Sequence, residues 1–411
     1  MSQNLDEAMI DSPLIAAARQ FGTPAYIYSA DIMTQRLHRL QAAFGRWFEI
    51  SFAVKSNPNP QLLGWLKSRI GTLDISSQGE FQLALLAGWQ PERLSFTGPA
   101  KRRAELEQVI TAGLGELIVE SLREAHLANE IAAACGKVQP ILIRLSPDHV
   151  PKGFGDHMAG RPTPFGIDIE EADQSVAEIL NLAHLRLDGF HIYSGTQSLK
   201  AQAICENWRG FIGIFQRMIT DHGIRPKRLI FGAGLGIPYH LGDQALDIDA
   251  ISQDIAPDLD AFRSLDALSD CSFALELGRY LVGPAGFFVT EVISTKTSRG
   301  GRIAICDGGM NANLAASGNF GMVLRRNYIM HRLGDAAGLP EEKQDITGPL
   351  CTSIDKLGSG VMLPTLLEGD LIAIHNCGAY GPSASPLNFI SHPHPREIWF
   401  EAGQASDITR L

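Results

Sequence analysis

Between Glu49 and Glu276, short apolar runs alternate with stretches patterned for helix. The runs are Glu49–Val54, Thr72–Ser76, Arg93–Thr97, Glu116–Glu120, Pro140–Leu145, Leu185–Tyr193, Arg228–Phe231 and Phe273–Glu276. Brief apolar runs bounded by turn formers read as strands. Between them, segments such as Gln61–Ile70, Gly79–Ala87, Ala104–Ala112 and Leu122–Ala134 place apolar residues three and four apart. That period gives a helix one buried face. Eight alternating units in about 230 residues predict an α/β fold, a (β/α)8 TIM-like barrel of closed parallel strands. An open doubly wound sheet is the alternative that the pattern leaves standing.

The period changes after Gly283. Phe287–Thr295, Arg302–Asp307, Gly348–Thr352, Leu371–Ile374 and Glu397–Phe400 predict strands separated by Gly- and Pro-rich turns, with no regular helices between them. The expected organisation is a barrel over residues 30–280 and a mostly-β domain, sandwich- or barrel-like, from residues 281–411 and 1–29. The early run Ala25–Tyr28 is expected to add a strand to that domain. Asp243–Leu259, rich in aspartate, reads as a surface insertion.

Composition narrows the function classes. In 411 residues, 45% are apolar and 19% charged, ample for a globular core. A net charge of −10 argues against nucleic acid or an anionic membrane surface as partner. No apolar run approaches the ~18 residues of a membrane span. The stretch Met1–Ser12 is acidic and lacks the regions of a signal peptide, so a cytoplasmic enzyme is expected. Six cysteines without CxxC spacing indicate neither a zinc site nor a disulfide framework. His392-Pro393-His394-Pro395 offers two histidines and no third ligand, so it reads as a loop and no metal is expected.

In a parallel barrel, chemistry belongs at the C-terminal ends of strands. The first run ends Phe52-Ala53-Val54-Lys55-Ser56-Asn57. A partly desolvated lysine there suits a Schiff-base nucleophile, although a side chain that snorkels to solvent is the commoner reading of this fragment alone. After the seventh run comes Gly232-Ala233-Gly234-Leu235-Gly236, bare backbone whose N–H groups can face an anion. Ile237-Pro238-Tyr239-His240-Leu241-Gly242 follows where a dinucleotide-binding turn needs a helix, so the phosphate of another cofactor fits better. The eighth run ends Glu276-Leu277-Gly278-Arg279, either a surface ion pair or a carboxylate and guanidinium aimed at a ligand.

Taken in order, these elements resemble one family. Added to them are Asp74-Ile75-Ser76-Ser77-Gln78-Gly79-Glu80, His191-Ile192-Tyr193-Ser194-Gly195-Thr196-Gln197, Gly348-Pro349-Leu350-Cys351-Thr352-Ser353-Ile354-Asp355 and Gly378-Ala379-Tyr380. The chain is similar, over roughly residues 20–400, to the barrel-type pyridoxal-phosphate-dependent decarboxylases that include diaminopimelate and ornithine decarboxylases. The resemblance implies pyridoxal 5'-phosphate as cofactor, an alanine-racemase-like barrel and a homodimer with shared active sites. It implies that Lys55 forms the internal aldimine, and that Glu276 keeps the pyridine nitrogen protonated so that the ring is an electron sink. Asp74, Gly232, Ala233, Gly234, Thr196, Arg279 and Tyr380 match positions around cofactor and phosphate, and Tyr193 stands where the family stacks a histidine on the ring. His191, two residues earlier, is expected to be structural. After CO2 loss, Cys351 matches the residue that reprotonates the carbanion, from a loop reaching the partner subunit's cofactor. Asp355 matches an acidic residue near the substrate's distal end, and Arg279 also borders the substrate.

This chain departs from the diaminopimelate decarboxylases in its distal pocket. Thr352 replaces a glutamate after the loop cysteine. After Asp307-Gly308-Gly309-Met310-Asn311, the run through Ala315 and Asn319 lacks the arginine and tyrosine that hold a distal carboxylate. The run Ala315-Ala316-Ser317-Gly318-Asn319-Phe320-Gly321, with Arg325-Arg326-Asn327-Tyr328, is similar to a subgroup linked to secondary-metabolite, siderophore and exopolysaccharide pathways. That subgroup includes decarboxylases of carrier-protein-tethered glutamate. The expected substrate is therefore an amino acid or an aminoacyl group on a carrier protein, with Arg325 and Arg326 near a carboxylate or a phosphopantetheine phosphate. Diaminopimelate decarboxylation is the alternative. Racemisation is a third reading, disfavoured because racemases place arginine rather than a carboxylate against the ring nitrogen. A non-catalytic cofactor-binding protein is a fourth, disfavoured by the β domain that carries Cys351.

Overall fold

The computed structural model describes residues 7–318, 320–321 and 324–410. The chain divides into two compact units. One comprises His38–Ile237 and Ala245–Gly278; the other comprises the chain through Leu37, Pro238–Gln244 and Arg279–Leu411.

The first unit is built on eight strands: β1 (Phe48–Ala53), β2 (Thr72–Ile75), β3 (Leu94–Phe96), β4 (Glu116–Val119), β5 (Gln139–Ser146), β6 (Leu185–Ile192), β7 (Arg228–Gly232) and β8 (Ser272–Leu277). Each pairs in parallel with the next. Strand β8 then pairs with β1, from Phe273 against Phe48 to Leu277 against Phe52, and closes the cylinder. This closure decides between a barrel and an open sheet. Parallel neighbours need crossover connections, and the helices predicted between the runs supply them. Ile118, Leu142, Ile230 and Ala274 form a fully buried cluster. Phe48, Phe231 and Phe273 pack together, and Trp208 of the helix Ala201–His222 meets Phe48 edge-on at 5.6 Å. Each buried phenylalanine contributes about 1.5–3 kcal/mol.

Capping residues begin helices directly after the strand ends. Ser77 accepts the Glu80 N–H at 3.1 Å, while Glu80 reaches back to the Ser76 N–H at 2.7 Å. Ser121 and Glu124 repeat the arrangement after β4, with the Glu124 carboxylate accepting the Glu120 N–H at 3.3 Å. These reciprocal bonds satisfy helix donors and hold the loops that carry the site.

Asp243–Leu259 corrects the expectation of a surface insertion. Most of it belongs to the helix Ile248–Arg263, whose Ile248, Ile251, Ile255 and Leu259 are buried at helical spacing. Asp247 caps that helix by accepting from Asp249 and Ala250 N–H groups. The aspartates are the cap and the outer face of an ordinary amphipathic helix.

In the second unit, Ala25–Ser29 is a central strand, as its early apolar run suggested. It runs antiparallel to Gly286–Ser298 and parallel to Arg396–Glu401 in a nine-stranded mixed sheet. Leu14, Ala17 and Ala18 of the helix Glu7–Phe21 pack with Ile27, Phe287, Val289 and Ala373 in its core. The strand expected at Gly348–Thr352 lies earlier, at Glu341–Thr347. Its sequence is polar, and of its inward positions only Gln344 and Ile346 are buried, which hid it. Gly348-Pro349 cannot extend the ladder, since proline has no N–H. Residues 348–355 instead form turns. Among the described residues, no helix is long and apolar enough to cross a membrane.

Candidate active site

At the mouth of the barrel, β1 runs into a tight helical turn, Val54–Ser56, that presents Lys55. The Ser56 hydroxyl donates to the Ala53 carbonyl at 2.8 Å, and the Asn57 N–H donates to the Val54 carbonyl at 3.0 Å. A Cβ on Gly278, just past β8, would fall 2.6 Å from the Ser56 hydroxyl, so glycine there lets the two strand ends meet. The Lys55 amine lies 5.5 Å from the centre of the Tyr193 ring.

Two buried carboxyl groups, Asp74 and Glu276, feel the charge of this amine. Asp74, at the end of β2, accepts from Ser95 at 3.0 Å and from Thr97 at 2.7 and 2.8 Å. Burial, and then the charge of Glu276, push Asp74 well above the usual carboxylate range, against Lys55, Thr97 and Ser95. Glu276, on β8, moves the other way. Burial works to raise it, but His191, Lys55 and Arg144 outweigh that and hold it below its usual value. The two carboxyls are thus driven in opposite directions, Asp74 up and Glu276 down. Carboxyls whose environments drive them apart in this way are characteristic of functional sites.

The charged set continues around the barrel end. Glu120 accepts from the Gly98 N–H at 2.6 Å, the Gly166 N–H at 3.0 Å and Arg144 at 3.1 Å. Despite burial, Arg144, Lys101 and those N–H groups keep its carboxyl below the usual range. Sequence reasoning missed Ser95, Thr97, Glu120 and Arg144. Arg144 had a visible signal, since it interrupts an apolar strand, Ile141-Leu142-Ile143-Arg144-Leu145, where an unpaired charge would be costly.

The glycine run after β7 is shaped by close approaches. A Cβ on Gly232 would lie 2.5 Å from the Tyr193 ring. Gly234 has φ +69°, and a Cβ there would also meet Phe154 at 2.6 Å. The Ala233 N–H donates to the Glu276 carbonyl at 2.9 Å. Ala233 thus ties β7 to β8 instead of offering the anion-facing donor expected of it. Thr196 is half-buried and pairs with Asp156, and the neighbouring Gln197 side chain clips the Ile237 carbonyl at 2.6 Å.

In the second unit, Arg279 donates to the Tyr239 hydroxyl at 2.8 Å, and its guanidinium lies 4.7 Å from the centre of the Tyr380 ring. Its Nε is buried and has no hydrogen-bond partner among the described residues. Such a donor is costly unless an anion or water takes it up. Tyr380 adopts φ +53°, a strained backbone of the kind that collects at binding sites.

Cys351 is exposed on its loop. Asp355, expected at the substrate's distal end, is engaged elsewhere: it is 3% exposed and accepts the Met310 N–H at 2.6 Å and the Leu350 N–H at 2.8 Å. A Cβ on Gly309 or Gly348 would run into this carboxylate. Asp355 is a brace for the cysteine loop, because both oxygens are taken by buried backbone donors. Arg326 pairs with Asp243 at 2.8 Å, and Arg325 donates to the Lys356 carbonyl. Both arginines line an open groove of about 490 Å³ with His240, Leu241, Asn327 and Ser359. Of the departing run, Asn313 donates to the Cys377 sulfur and caps Ala316, while Asn319 lies outside the described residues. Among the described residues, no cluster of His, Cys, Asp or Glu could hold a metal ion, and His394 contacts Asn388 at 2.9 Å.

The barrel residues fit pyridoxal phosphate. An amine, a buried ionised carboxylate, an aromatic face and a glycine cradle suit an aldehyde, a basic ring nitrogen, a planar ring and a phosphate in turn.

Comparison with known proteins agrees. Residues 30–283 match the pyridoxal-binding domain of the pyridoxal-dependent decarboxylases. The chain is 34% identical, over 99% of its length and 94% of the relative, to a decarboxylase from Niallia circulans that acts on the L-glutamyl group of the BtrI acyl-carrier protein. It is 31% identical to the diaminopimelate decarboxylase of Aquifex aeolicus, over 96% of this chain and 90% of that one. The solved Helicobacter pylori diaminopimelate decarboxylase, complexed with L-lysine, superposes with TM-score 0.85 at 28% identity, covering 97% of this chain and 96% of that one. By barrel, site chemistry and kinship alike, this chain belongs to the pyridoxal-dependent decarboxylases and is a carboxy-lyase.

Proposed function

We propose that the enzyme removes the α-carboxylate from an acidic aminoacyl group, glutamyl by analogy with the Niallia circulans relative, presented on a carrier protein. The single observation that carries the substrate reading is the engagement of Asp355. With Asp355 buried at 3% exposure, a backbone N–H on each of its oxygens, and Thr352 beside the cysteine, the loop presents no exposed carboxylate to grip a distal ammonium. A diaminopimelate or ornithine substrate brings such an ammonium, and leaving it unpaired in a pocket is costly.

Pyridoxal phosphate, when bound, supplies an electron sink for the pair left behind by CO2. The chain's own residues do the rest. Lys55 would hold the cofactor through its aldehyde. Glu276, held below its usual value despite burial by His191, Lys55 and Arg144, would keep the cofactor's ring nitrogen protonated, and burial pushes the neighbouring Asp74 well above the usual carboxylate range. Gly232 leaves room for the Tyr193 ring, which would stack on the cofactor, and Gly234 and Thr196 would face its phosphate; in the second unit, Arg279 and Tyr380 would take a phosphate or carboxylate. Cys351 delivers the proton that replaces CO2 on the α-carbon. Its exposure on a braced loop supports a homodimer in which the cysteine serves the partner's site. In this reading residues 30–280 form the cofactor barrel, and residues 1–29 with 281–411 form the domain that supplies Cys351.

The test is CO2 release by purified enzyme with pyridoxal phosphate. The panel holds free glutamate, diaminopimelate, lysine, ornithine and arginine, plus glutamate loaded on a carrier protein. Release from the carrier-bound glutamate alone supports the proposal. Release from a free diamino acid overturns the substrate reading, and release from none of them after cofactor uptake overturns the panel's premise of an amino-acid α-carboxylate. Lys55→Ala is the control; it should lose the cofactor's visible absorption.

A further inference from the structure

His191 lies on β6, 1% exposed, with its Nε2 3.0 Å from the Glu276 Oε2. Its other ring nitrogen, Nδ1, is buried and has no hydrogen-bond partner among the described residues. An imidazole so placed carries its one proton on Nε2. The carboxylate requires a donor, and a second proton on Nδ1 would leave a buried N–H unsatisfied. Burial likewise disfavours the charged ring, against the pull of Glu276. The other charged groups that act on the pair sit at the same barrel end: Arg144 and Glu120 on the His191 side, Lys55 and Asp74 on the Glu276 side.

A histidine in a strand interior is ordinarily a satisfied core residue. Here one nitrogen is unsatisfied, so packing alone does not account for its choice. Leucine or phenylalanine would fill similar space without leaving a polar atom unpaired. What the imidazole adds is a neutral donor. A lysine or arginine in its place would form a charge pair with Glu276 and cancel the field that the carboxylate exerts on a nearby ring nitrogen.

We propose that His191 is a positioning residue for Glu276, a neutral donor that fixes the carboxylate and keeps it ionised without neutralising it. This rests on the reading that pyridoxal phosphate binds in the barrel with Glu276 as the partner of its ring nitrogen. Arg144 extends the arrangement. Engaged with Glu120 at 3.1 Å, it adds positive field at Glu276 from a distance without bonding to it.

Two measurements test this. The first uses wild-type protein with ¹⁵N-labelled histidine and needs no variant. Between about pH 6 and 8 the His191 signals should remain those of the neutral tautomer with Nε2 protonated. A ring protonated on Nδ1, or on both nitrogens, overturns the proposal. The second uses holoenzyme carrying ring-¹⁵N pyridoxal phosphate. In His191→Leu the ring-nitrogen signal should move toward the unprotonated position. The kcat should fall about 10-fold or more with KM little changed, as expected when one hydrogen bond to a charged group is lost. His191→Gln, which can still donate, should recover part of both. A protonated ring nitrogen and unchanged kcat in a folded His191→Leu holoenzyme overturns the inference. Wild-type protein that takes up no pyridoxal phosphate overturns the cofactor reading instead, and the two failures are told apart by that first loading step.

Discussion

The Asp355 carboxylate accepts the Leu350 N–H at 2.8 Å, so the residue before Cys351 hangs from a buried charge. The other carboxylate oxygen takes the Met310 N–H at 2.6 Å and ties the loop to the turn after Asp307. In Asp355→Ala both buried donors lose their acceptor. Stability should fall by about 2–4 kcal/mol in urea titrations, and CO2 release should slow as the Cys351 loop loosens. A melting curve like that of the wild type would show that the loop does not depend on this brace.

Cys351→Ala tests proton delivery. The variant should bind cofactor with unchanged visible absorption, yet turn over at least about 10-fold more slowly and divert some substrate to transamination. The measurement is the ratio of amine to aldehyde product per CO2 released. Full turnover to amine would assign the proton to another group.

Gly232→Ala tests the packing behind Tyr193. The added methyl would sit 2.5 Å from the ring, an overlap that something must relieve. Overpacking of this kind costs about 1–3 kcal/mol. The cost should appear partly as a lower melting temperature and partly as weaker cofactor binding, read by titrating apoenzyme. Unchanged affinity would separate the Tyr193 ring from the cofactor.

Stability should depend on acid through His375. Its Nε2 contacts His331 at 2.8 Å, His331 in turn contacts Asp11 at 2.8 Å, and Phe287 packs edge-on against the ring. Burial pushes its imidazole down to about 4, helped by His331 and opposed by Asp11. The unfolded chain takes up this proton near pH 6.5, so the fold is fully favoured above about pH 6.5. As pH falls toward about 4, the unfolded state gains protons that the folded state refuses, and stability declines across that window. Melting temperatures of His375→Gln should decline less over the same range. Parallel curves for the two proteins would remove His375 from the account.

The alternation of apolar runs and helical stretches determined the barrel, because a strand buried on both faces and a one-faced helix each leave a periodic mark on the chain. Lys55, Glu276 and the glycine run were legible for a related reason: they stand at strand ends, where a barrel gathers its chemistry. The order of motifs was enough to name the family. What the chain could not show by itself were relationships between residues far apart along it. Asp355 looked like a substrate carboxylate until Met310 and Leu350 were found on its two oxygens. The helix Ile248–Arg263 was hidden by its own aspartates, and the strand Glu341–Thr347 by its polar sequence. His191 and Glu276 are 85 positions apart, and only the pairing of both β6 and β8 with β7 brings them to one hydrogen bond. Periodicity records which face of an element is buried. Which polar groups meet, and therefore which are bound, charged or spare, is decided by packing between elements, and that is a property of the tertiary structure alone.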